Sequence, residues 1–314
     1  MHIVLLCATR RGLSFFHALS QLVPDASITV FSFREAEGEP PFFDDIRAAT
    51  ASMGRRFIEA RAVYGPAHRE FWREDPIDLL FAVSWRYLVP REAFDLPVLG
   101  SFVFHDSLLP RNRGFSPTVW AIAKGDDHTG VTLFEMNDEV DSGDIVDQQR
   151  VSIGPHETIR EALAHTTEAY ISVLNRNFDS LRSGTARRHP QVQSDATYCR
   201  RRSPEDNRID WDRDVRAIYN LIRAVTDPYP GAFTTLRGKR LTIWAARPVD
   251  DSIDVDLAPG TVVEVHPGRG IEVVTARGKL LVTTVQLETG PVGTADKFVD
   301  RPGIRLGTGT GRVT

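Results

Sequence analysis

Short, nearly continuous apolar runs recur through the first third of the chain. They are His2–Cys7, Ile28–Phe33, Ile77–Val83 and Val98–Phe104. Runs of this length without polar alternation are typical of strands that are covered on both faces of a parallel sheet. Helical segments are predicted between these runs at Ser14–Leu22 and Ile46–Arg61. Strands that alternate with helices predict an α/β fold with a doubly wound sheet.

The pattern changes in the second half of the chain. A long amphipathic helix is predicted at Thr158–Leu181, followed by a polar linker, Arg182–Ser194, that contains glycine and proline. After another helix, Asp214–Ala224, four short strands follow closely: Leu241–Ala245, Gly260–Val265, Gly270–Thr275 and Lys279–Leu287. This spacing predicts a small β-barrel. We therefore divide the chain into domains at residues 1–190 and 195–314.

The composition is that of an ordinary globular enzyme. With 314 residues, 41% of them hydrophobic and 25% charged, the chain is long enough for two modest domains. A formal net charge of −4 gives no general basic surface for nucleic acid. Cys7 and Cys199 indicate neither a disulfide framework nor a zinc site, so we expect no metal. No apolar run approaches the ~20 residues of a membrane helix and none fits a signal peptide, so we expect a cytoplasmic protein.

The stretch Gly100–Asp144 holds the candidate chemistry. His105 stands where a predicted strand ends and a loop begins, which is where α/β sheets bind ligands. A short helix and a second strand, Gly130–Met136, lead to a turn that contains Asp141, and this path allows the two side chains to meet. An imidazole moves protons near neutral pH, and a carboxylate on its second nitrogen orients it. Taken alone, a histidine at a strand end or an aspartate in a turn is more often structural.

Two motifs in this stretch resemble the folate-dependent formyltransferases: HDSLLPRNRG at 105–114 and DSGD at 141–144. In that family a motif of the form Asn-x-His-x-Ser-Leu-Leu-Pro precedes an Asp in an Asp-x-Gly turn. A third stretch, ATYCRRRSPEDNRIDW at 196–211, is similar to enzymes that formylate amino sugars on a nucleotide. The resemblance covers most of the chain. It implies a Rossmann-like N-terminal domain, an OB-like C-terminal barrel, and N10-formyltetrahydrofolate as the cofactor, with tetrahydrofolate as the product.

The resemblance puts His105 and Asp141 in the catalytic positions. His105 is the expected general base and electrostatic partner, and Asp141 is the group that orients its ring. Asp106 is a rival carboxylate of lower rank, because neighbours on a strand point to opposite faces. Ser107 lacks the G-x-S-x-G setting of a nucleophile and is expected to tie its loop together.

The resemblance also implies two groups of binding residues. The expected cofactor contacts are Trp85, Arg86, Tyr87, Leu88, Leu108, Leu109, Pro110 and Asp138. The expected acceptor contacts are Arg10, Ser107, Arg113, Gly114 and Phe115. In the family the loop that corresponds to Ser84–Pro90 lies along the pterin and meets it largely through backbone groups; without the resemblance it is a strand-end loop with an aromatic anchor. Arg10 and Arg11 are equally well explained as solvated charges, and Arg111 and Arg113 as contacts to the folate tail or a substrate phosphate.

The expected activity is N-formyl transfer to a small amine, foremost a nucleotide-linked amino sugar. One alternative is a methionyl-tRNA formyltransferase, which has the same two-domain layout. Another is a catalytically degenerate protein that only binds folate or nucleotide. The stretch Arg34–Asp45 is rich in Glu and Asp and would repel phosphate, so tRNA binding is expected to be weak. The oligomeric state stays open, a homodimer included.

One position departs from the family pattern, because the family's Asn falls on Val103. That Asn donates its amide N–H to the formyl oxygen, and valine has no donor. Three explanations compete: a shifted donor such as Ser101 or Asn112, protonated His105 acting as the donor alone, or loss of activity. We expect an active enzyme, because the His, the Asp and both loops are present together.

Overall fold

The computed structural model describes residues 1–36, 40–74, 76–250 and 256–307. The chain forms two compact units that alternate along the sequence. The first unit consists of Met1–Pro117, His128–Ser152 and Leu163–Arg200. The second consists of Thr118–Asp127, Ile153–Ala162 and the chain from Arg201 onward. The predicted division at 190 and 195 stays a prediction.

Among its described residues, the first unit has nine strands. They are β1 (His2–Cys7), β2 (Ser27–Ser32), β3 (Arg56–Glu59), β4 (Leu79–Val83), β5 (Ser101–His105), β6 (Arg113–Gly114), β7 (His128–Glu135), β8 (Ile145–Ser152) and β9 (Tyr198–Cys199). The first six helices of the chain are α1 (Thr9–Leu22), α2 (Phe43–Ser52), α3 (Phe71–Glu74), α4 (Arg91–Phe94), α5 (Pro117–Lys124) and α6 (Ile159–Arg182). Most of α5 and the first turn of α6 belong to the second unit.

Seven of these strands form one sheet in the order β3-β2-β1-β4-β5-β7-β8. The first five strands in that order are parallel, whereas β7 and β8 are antiparallel to their neighbours. The predicted α/β fold with a doubly wound parallel sheet is therefore confirmed. The chain reverses its direction of travel across the sheet between β1 and β4, and such a switch point opens a crevice at the carboxyl ends of the strands.

The apolar runs form strands because the sheet buries both of their faces. On one face Ile3 and Leu5 pack in a cluster with Phe15 of α1 and Phe104 of β5. On the other face Val4, Leu6 and their neighbours form a second cluster with Phe31 and Trp72. Burial on two sides removes the alternation of apolar and polar residues that a half-exposed strand would show.

One predicted helix is wrong in its second half. Helix α2 ends at Ser52, whereas the prediction extended to Arg61. Gly54 then adopts a φ of 63°, a left-handed conformation that ends helices, and Arg56–Glu59 pairs with β2 as strand β3. The distant pairing of β3 outweighs the local helical pattern. Strand β8 and the short pair β6–β9 were not predicted.

The second unit contains α7 (Val215–Val225), whose N-cap Asp214 accepts the N–H of Ala217 at 2.9 Å. Its strands are β10 (Ala232–Leu236), β11 (Lys239–Asp250), β12 (Val262–His266), β13 (Gly270–Val274), β14 (Lys279–Leu287) and β15 (Val292–Thr294). They form an antiparallel sheet in the order β10-β11-β14-β13-β12, with β15 on β14. The four predicted strands are present; their closure into an OB-like barrel stays a prediction. Within the described residues, no helix is long and apolar enough to cross a membrane.

Candidate active site

His105 is the last residue of β5 and is only 7% exposed. Its ring lies between two oxygen atoms. Nδ1 is 3.6 Å from Oδ2 of Asp141, and Nε2 is 3.0 Å from the carbonyl oxygen of Asn112. The structure thus brings together the two residues predicted as the catalytic pair, and it adds a main-chain partner that the sequence did not reveal.

The Asp141 carboxylate, which makes an ion-pair contact with His105, also accepts a hydrogen bond from the backbone. Its Oδ2 accepts the backbone N–H of Gly114 at 2.7 Å, so one oxygen faces both His105 and the loop after β5. The rival carboxylate Asp106 points elsewhere, to the guanidinium of Arg11 on α1 at 3.2 Å. Asp106 directly follows His105 in sequence, and its side chain points away from the His105 ring, as alternation along a strand predicts.

The backbone around this pair is strained. Five non-glycine residues have a positive φ between 51° and 65°, namely Thr9, Ser84, Asn112, Ser116 and Asp141. They account for every described non-glycine residue of the first unit with a positive φ. They lie at the ends of β1 and β4 and in the loops after β5 and β7. Each such residue costs on the order of 1–3 kcal/mol and persists only where the surroundings impose it, a pattern common at functional sites.

The loop after β5 is held in place by its own hydrogen bonds and by β7. The Ser107 hydroxyl donates to the carbonyl of Arg111 at 2.7 Å, and the Thr132 hydroxyl donates to the carbonyl of Ser107 at 2.6 Å. Thr132 Oγ1 also accepts from the backbone N–H of Leu109 and from the side chain of Gln148. Ser107 is 2% exposed, and its hydroxyl ties the loop together as predicted. It does not present this hydroxyl to an acceptor substrate.

Arg113 is also not placed as predicted. It is completely buried, and its guanidinium donates to Gln191 at 2.7 and 3.2 Å and to Gln193 and Tyr198 at 2.9 and 3.0 Å. A side chain held in this way packs the loop against the segment that was interpreted as a linker, and it offers no surface to an acceptor. Gly114 must lack a side chain, because a Cβ there would lie 2.4 Å from the carbonyl oxygen of Cys199.

The loop from Ser84 to Pro90 surrounds an aromatic anchor. The rings of Trp85 and Tyr87 lie 5.2 and 4.9 Å from that of Phe33, and the guanidinium of Arg86 lies 4.8 Å from it. Leu88 is 80% exposed. Among the hydrogen bonds between described residues, none uses the backbone of Trp85, Tyr87 or Leu88. This loop therefore combines apolar side chains with main-chain groups that have no hydrogen bond among the described residues.

The remaining predicted binding residues differ in their exposure. Leu109 is buried, and Leu108 and Pro110 are partly exposed. Asp138 is exposed and bonded to Arg91, whose hydrogen bond holds the pKa of the Asp138 carboxyl below its usual range. Arg10 and Phe115 are exposed, and no described contact joins either of them to His105.

Sequence reasoning missed the buried network behind the site. Arg11 donates to the hydroxyls of Tyr170 and Thr166 at 3.3 Å each, and the Tyr170 hydroxyl donates to the carbonyl of Phe104. Burial raises the pKa of Tyr170 well above its usual range. This network ties α1 and α6 to the end of β5. No local motif signals it, since Arg11 and Tyr170 are far apart in sequence.

Two family models match the chain. The formyl transferase model matches residues 20–176, and the model of the formyl transferase C-terminal domain matches residues 201–303. The two matches span most of both predicted domains.

Solved structures with similar folds share little sequence with this chain. A HypX variant from Aquifex aeolicus is 18% identical with a TM-score of 0.64; the match covers 96% of this chain and 47% of that one. This chain therefore spans about half the length of HypX. An N-formyltransferase from Helicobacter canadensis is 15% identical over 90% of this chain and 98% of that one, with a TM-score of 0.66. Methionyl-tRNA formyltransferase from Clostridium thermocellum is 20% identical over 79% and 93%, with a TM-score of 0.55.

These identities establish the common fold, and the family follows from the model matches. The formyl transferase model covers half of the chain, including β5, its loop and the Asp141 turn, and the C-terminal model covers most of the remainder. The chain belongs to the formyl transferase family.

Proposed function

We propose that this protein transfers a formyl group from N10-formyltetrahydrofolate to the amine of a small acceptor, an amino sugar carried on a nucleotide. The observation that carries the proposal is the pair of His105, which is buried, and Asp141, which is half-buried. Their Nδ1 and Oδ2 atoms lie 3.6 Å apart at the carboxyl end of the parallel sheet. Both residues lie within the part of the chain that the formyl transferase model matches.

The chain supplies the proton chemistry that such a transfer needs. N10-formyltetrahydrofolate supplies the formyl carbon as an electrophile. His105 holds a proton for the formyl oxygen, where negative charge develops. It can also exchange protons with the attacking amine of the acceptor and with the departing N10 of the folate. Asp141 stabilises the charged ring and fixes its orientation. The strained loops place these groups before any ligand arrives, which favours pre-organised electrostatics.

Two observations support folate as the donor. In the loop from Ser84 to Pro90, the backbone groups of Trp85, Tyr87 and Leu88 make no hydrogen bond among the described residues, and they lie at the end of a strand that adjoins the switch point. A HypX structure contains tetrahydrofolic acid, and the Helicobacter canadensis enzyme was solved with folinic acid. The predicted cofactor contacts, Trp85, Arg86, Tyr87, Leu88, Leu108, Leu109, Pro110 and Asp138, are proposed on this basis.

The nucleotide-sugar acceptor is supported by a relative and by charge. The Helicobacter canadensis structure contains dTDP-3-aminofucose. The alternative acceptor, methionyl-tRNA, has a relative of its own from Clostridium thermocellum. In the stretch Arg34–Asp45, Asp44 pairs with Arg34 and Arg47, while Glu35 accepts the N–H of Phe42. Glu37 and Glu39 lie outside the described residues. With both arginines engaged by an acidic group, this stretch offers little attraction for tRNA phosphates.

A catalytically degenerate folate-binding protein is a second candidate, and Val103 favours it. Valine cannot donate to the formyl oxygen. Ser101, one of the proposed substitutes, already gives its hydroxyl to the carbonyl of Phe94 at 2.7 Å. Asn112 is the other proposed substitute. Its side-chain oxygen accepts from the thiol of Cys199 at 3.5 Å, which ties the amide to that cysteine. Binding of folate without turnover would support this candidate.

The deciding experiment is an activity panel. The purified protein is incubated with N10-formyltetrahydrofolate and a series of nucleotide-linked amino sugars, and mass spectrometry follows the gain of a formyl group on each acceptor. Initiator methionyl-tRNA is tested in parallel, and a His105→Gln variant serves as the blank. Formylation of a nucleotide sugar that depends on His105 supports the proposal. Efficient formylation of methionyl-tRNA alone would replace it with the alternative.

A further inference from the structure

Gln191 lies in the stretch that the sequence presents as a linker, yet its side chain is only 7% exposed. It follows α6 and precedes β9, in a segment whose neighbours Val192, Gln193 and Ser194 are exposed. A buried amide in an otherwise exposed polar segment needs a full set of hydrogen-bond partners, and the structure supplies them.

Each end of the Gln191 amide binds a different loop. Its Oε1 accepts from Nε and Nη2 of Arg113, at 3.2 and 2.7 Å. Its Nε2 donates to the carbonyl oxygens of Asp141 and Gly143, at 2.9 and 2.7 Å. One side chain therefore bridges the loop after β5 and the turn after β7.

Both of these loops carry partners of His105. The first loop contributes the carbonyl of Asn112, and the second contributes the Asp141 carboxylate. The N–H of Gly114 in the first loop donates to that carboxylate and so joins the two. Asp141 has a φ of 53°, so its position has to be imposed from outside. The bonds from Gln191 to the carbonyls of Asp141 and Gly143 impose it on the backbone.

We propose that Gln191 is a positioning residue for formyl transfer, which sets the Asp141 carboxylate against His105 by joining the two loops. The inference rests on the proposed function. An amide is the side chain suited to this place, because it must accept from a guanidinium at one end and donate to two carbonyls at the other.

Gln191→Glu changes only the donating end of the side chain and keeps the end that accepts from Arg113. The carboxylate keeps the bonds from Arg113 and gives that buried cation, whose guanidinium partners among the described residues are all neutral, an anionic partner. Its other oxygen, however, faces the carbonyls of Asp141 and Gly143, and the two acceptors repel each other. The variant should be as stable as the wild type and yet slower.

Gln193→Leu is the matched control. Gln193 has the same chemistry, lies two residues further along the segment, and accepts from the same guanidinium at 2.9 Å. It has no described bond to the Asp141 turn. Loss of Gln193 therefore perturbs the packing of Arg113 without releasing Asp141.

The experiment compares Gln191→Glu, Gln191→Leu and Gln193→Leu with the wild type. Turnover should fall on the order of 10-fold to 100-fold in both Gln191 variants, since small displacements of a catalytic group cost that much. The Kd of folinic acid should stay unchanged, and Gln193→Leu should keep the wild-type rate. Should Gln191→Leu fail to fold, Gln191→Glu decides the question.

A second readout is independent of activity. The ring signals of His105 are assigned in NMR spectra by their loss in His105→Gln. In both Gln191 variants the ring signals should shift from their wild-type positions, because the Asp141 carboxylate has moved relative to Nδ1. Equal effects of the Gln191 and Gln193 variants, or none, would overturn the proposal. An inactive wild type would refute the proposed function instead, while the NMR comparison would still judge the role of Gln191.

Discussion

The carbonyl oxygen of Asn112 lies 3.0 Å from Nε2 of His105, while Nδ1 of the same ring faces the Asp141 carboxylate at 3.6 Å. Both neighbours can only accept hydrogen bonds, so the ring form that satisfies both carries a proton on each nitrogen. In that form His105 is a donor and a positive charge. It can act as a base only after Nε2 leaves the Asn112 carbonyl. Donation to a formyl oxygen likewise requires Nε2 to leave the Asn112 carbonyl, so protonated His105 can replace the donor that Val103 lacks only after that movement.

His105→Gln tests this role. Turnover should fall about 10²- to 10⁴-fold, the usual contribution of a proton-transfer group. The fold should survive, because a glutamine amide can still donate to the Asn112 carbonyl, and the residue lies at the end of its strand. Steady-state rates at saturating donor and acceptor provide the measurement. The control is His17→Gln, since His17 lies on α1 away from this site. A near wild-type rate in His105→Gln would refute the assignment.

Asp141→Asn isolates the charge of the carboxylate. Asparagine tolerates the left-handed conformation at this position and can still accept the N–H of Gly114. We therefore expect a large loss of turnover with an unchanged melting temperature. Asp141→Ala should lose turnover and also melt earlier, because alanine is strained at a φ of 53°. If Asp141→Asn retained full activity, the orienting carboxylate would have to be another group.

Thr132 is predicted to be the main support of the loop after β5. Its hydroxyl donates once and accepts twice, and the residue is completely buried. Thr132→Val leaves these partners unsatisfied and should lower the free energy of unfolding by about 1–3 kcal/mol. Urea unfolding measures this change. Thr50→Val is the control: Thr50 is equally buried but makes one bond within its own helix, so its replacement should cost less.

Local pattern was enough for the parallel sheet, because a strand buried on both faces needs an apolar residue at nearly every position. The ranges of β1 and β14 match the prediction residue for residue. The pattern failed at Arg56–Glu59, whose burial is mixed and whose strand pairing with β2 depends on residues far away in sequence. A helical propensity that is strong locally cannot report such a pairing.

The site divides in the same way. The motifs pointed to His105 and Asp141, and the structure brings these residues together, while their catalytic roles stay predictions. The family resemblance put Arg113 at the acceptor, but this side chain is buried and bonded to Gln191, a residue 78 positions away. Nothing in a polar stretch with glycine and proline distinguishes a linker from a buried support. Only the three-dimensional arrangement shows that this segment bonds to the loops beside His105.

Asp147 links the edge strand β8 to α6 and makes stability depend on pH. Burial raises the pKa of Asp147, but hydrogen bonds from Arg176 and Asn177 outweigh this effect and hold it below 3.8. A lowered folded-state pKa stabilises the protein above 3.8, and this contribution is lost as the pH falls through the folded-state value. Asp147→Asn should therefore cost about 1 kcal/mol at neutral pH, and the difference should vanish in acid. Urea unfolding of both proteins at neutral pH and in acid, below the folded-state pKa of Asp147, tests this. Asp179→Asn, at an exposed ion pair, should change little.

The final prediction concerns Val103, which lies on the same face of β5 as His105 and packs against the buried apolar cluster that contains Val4 and Leu6. Val103→Asn restores the donor found in the family, but it places an amide among apolar side chains. We expect a fold that survives with a loss of about 1–3 kcal/mol in the free energy of unfolding, and a turnover rate that is not reduced.

Val103→Thr is the control, because it preserves the shape of valine and adds a polar group without an amide. It separates the effect of polarity at this position from the effect of the amide donor. If protonated His105 already serves as the donor, Val103→Asn should leave the rate near that of the wild type, because a second donor adds little to an oxygen that is already bonded. A lost donor costs on the order of 10²–10³ in rate when nothing replaces it. Activity that rises from undetectable to measurable in Val103→Asn would therefore mean that nothing replaces the donor in the natural protein. In that case the protein is a binder of folate, and the proposed transfer activity is wrong.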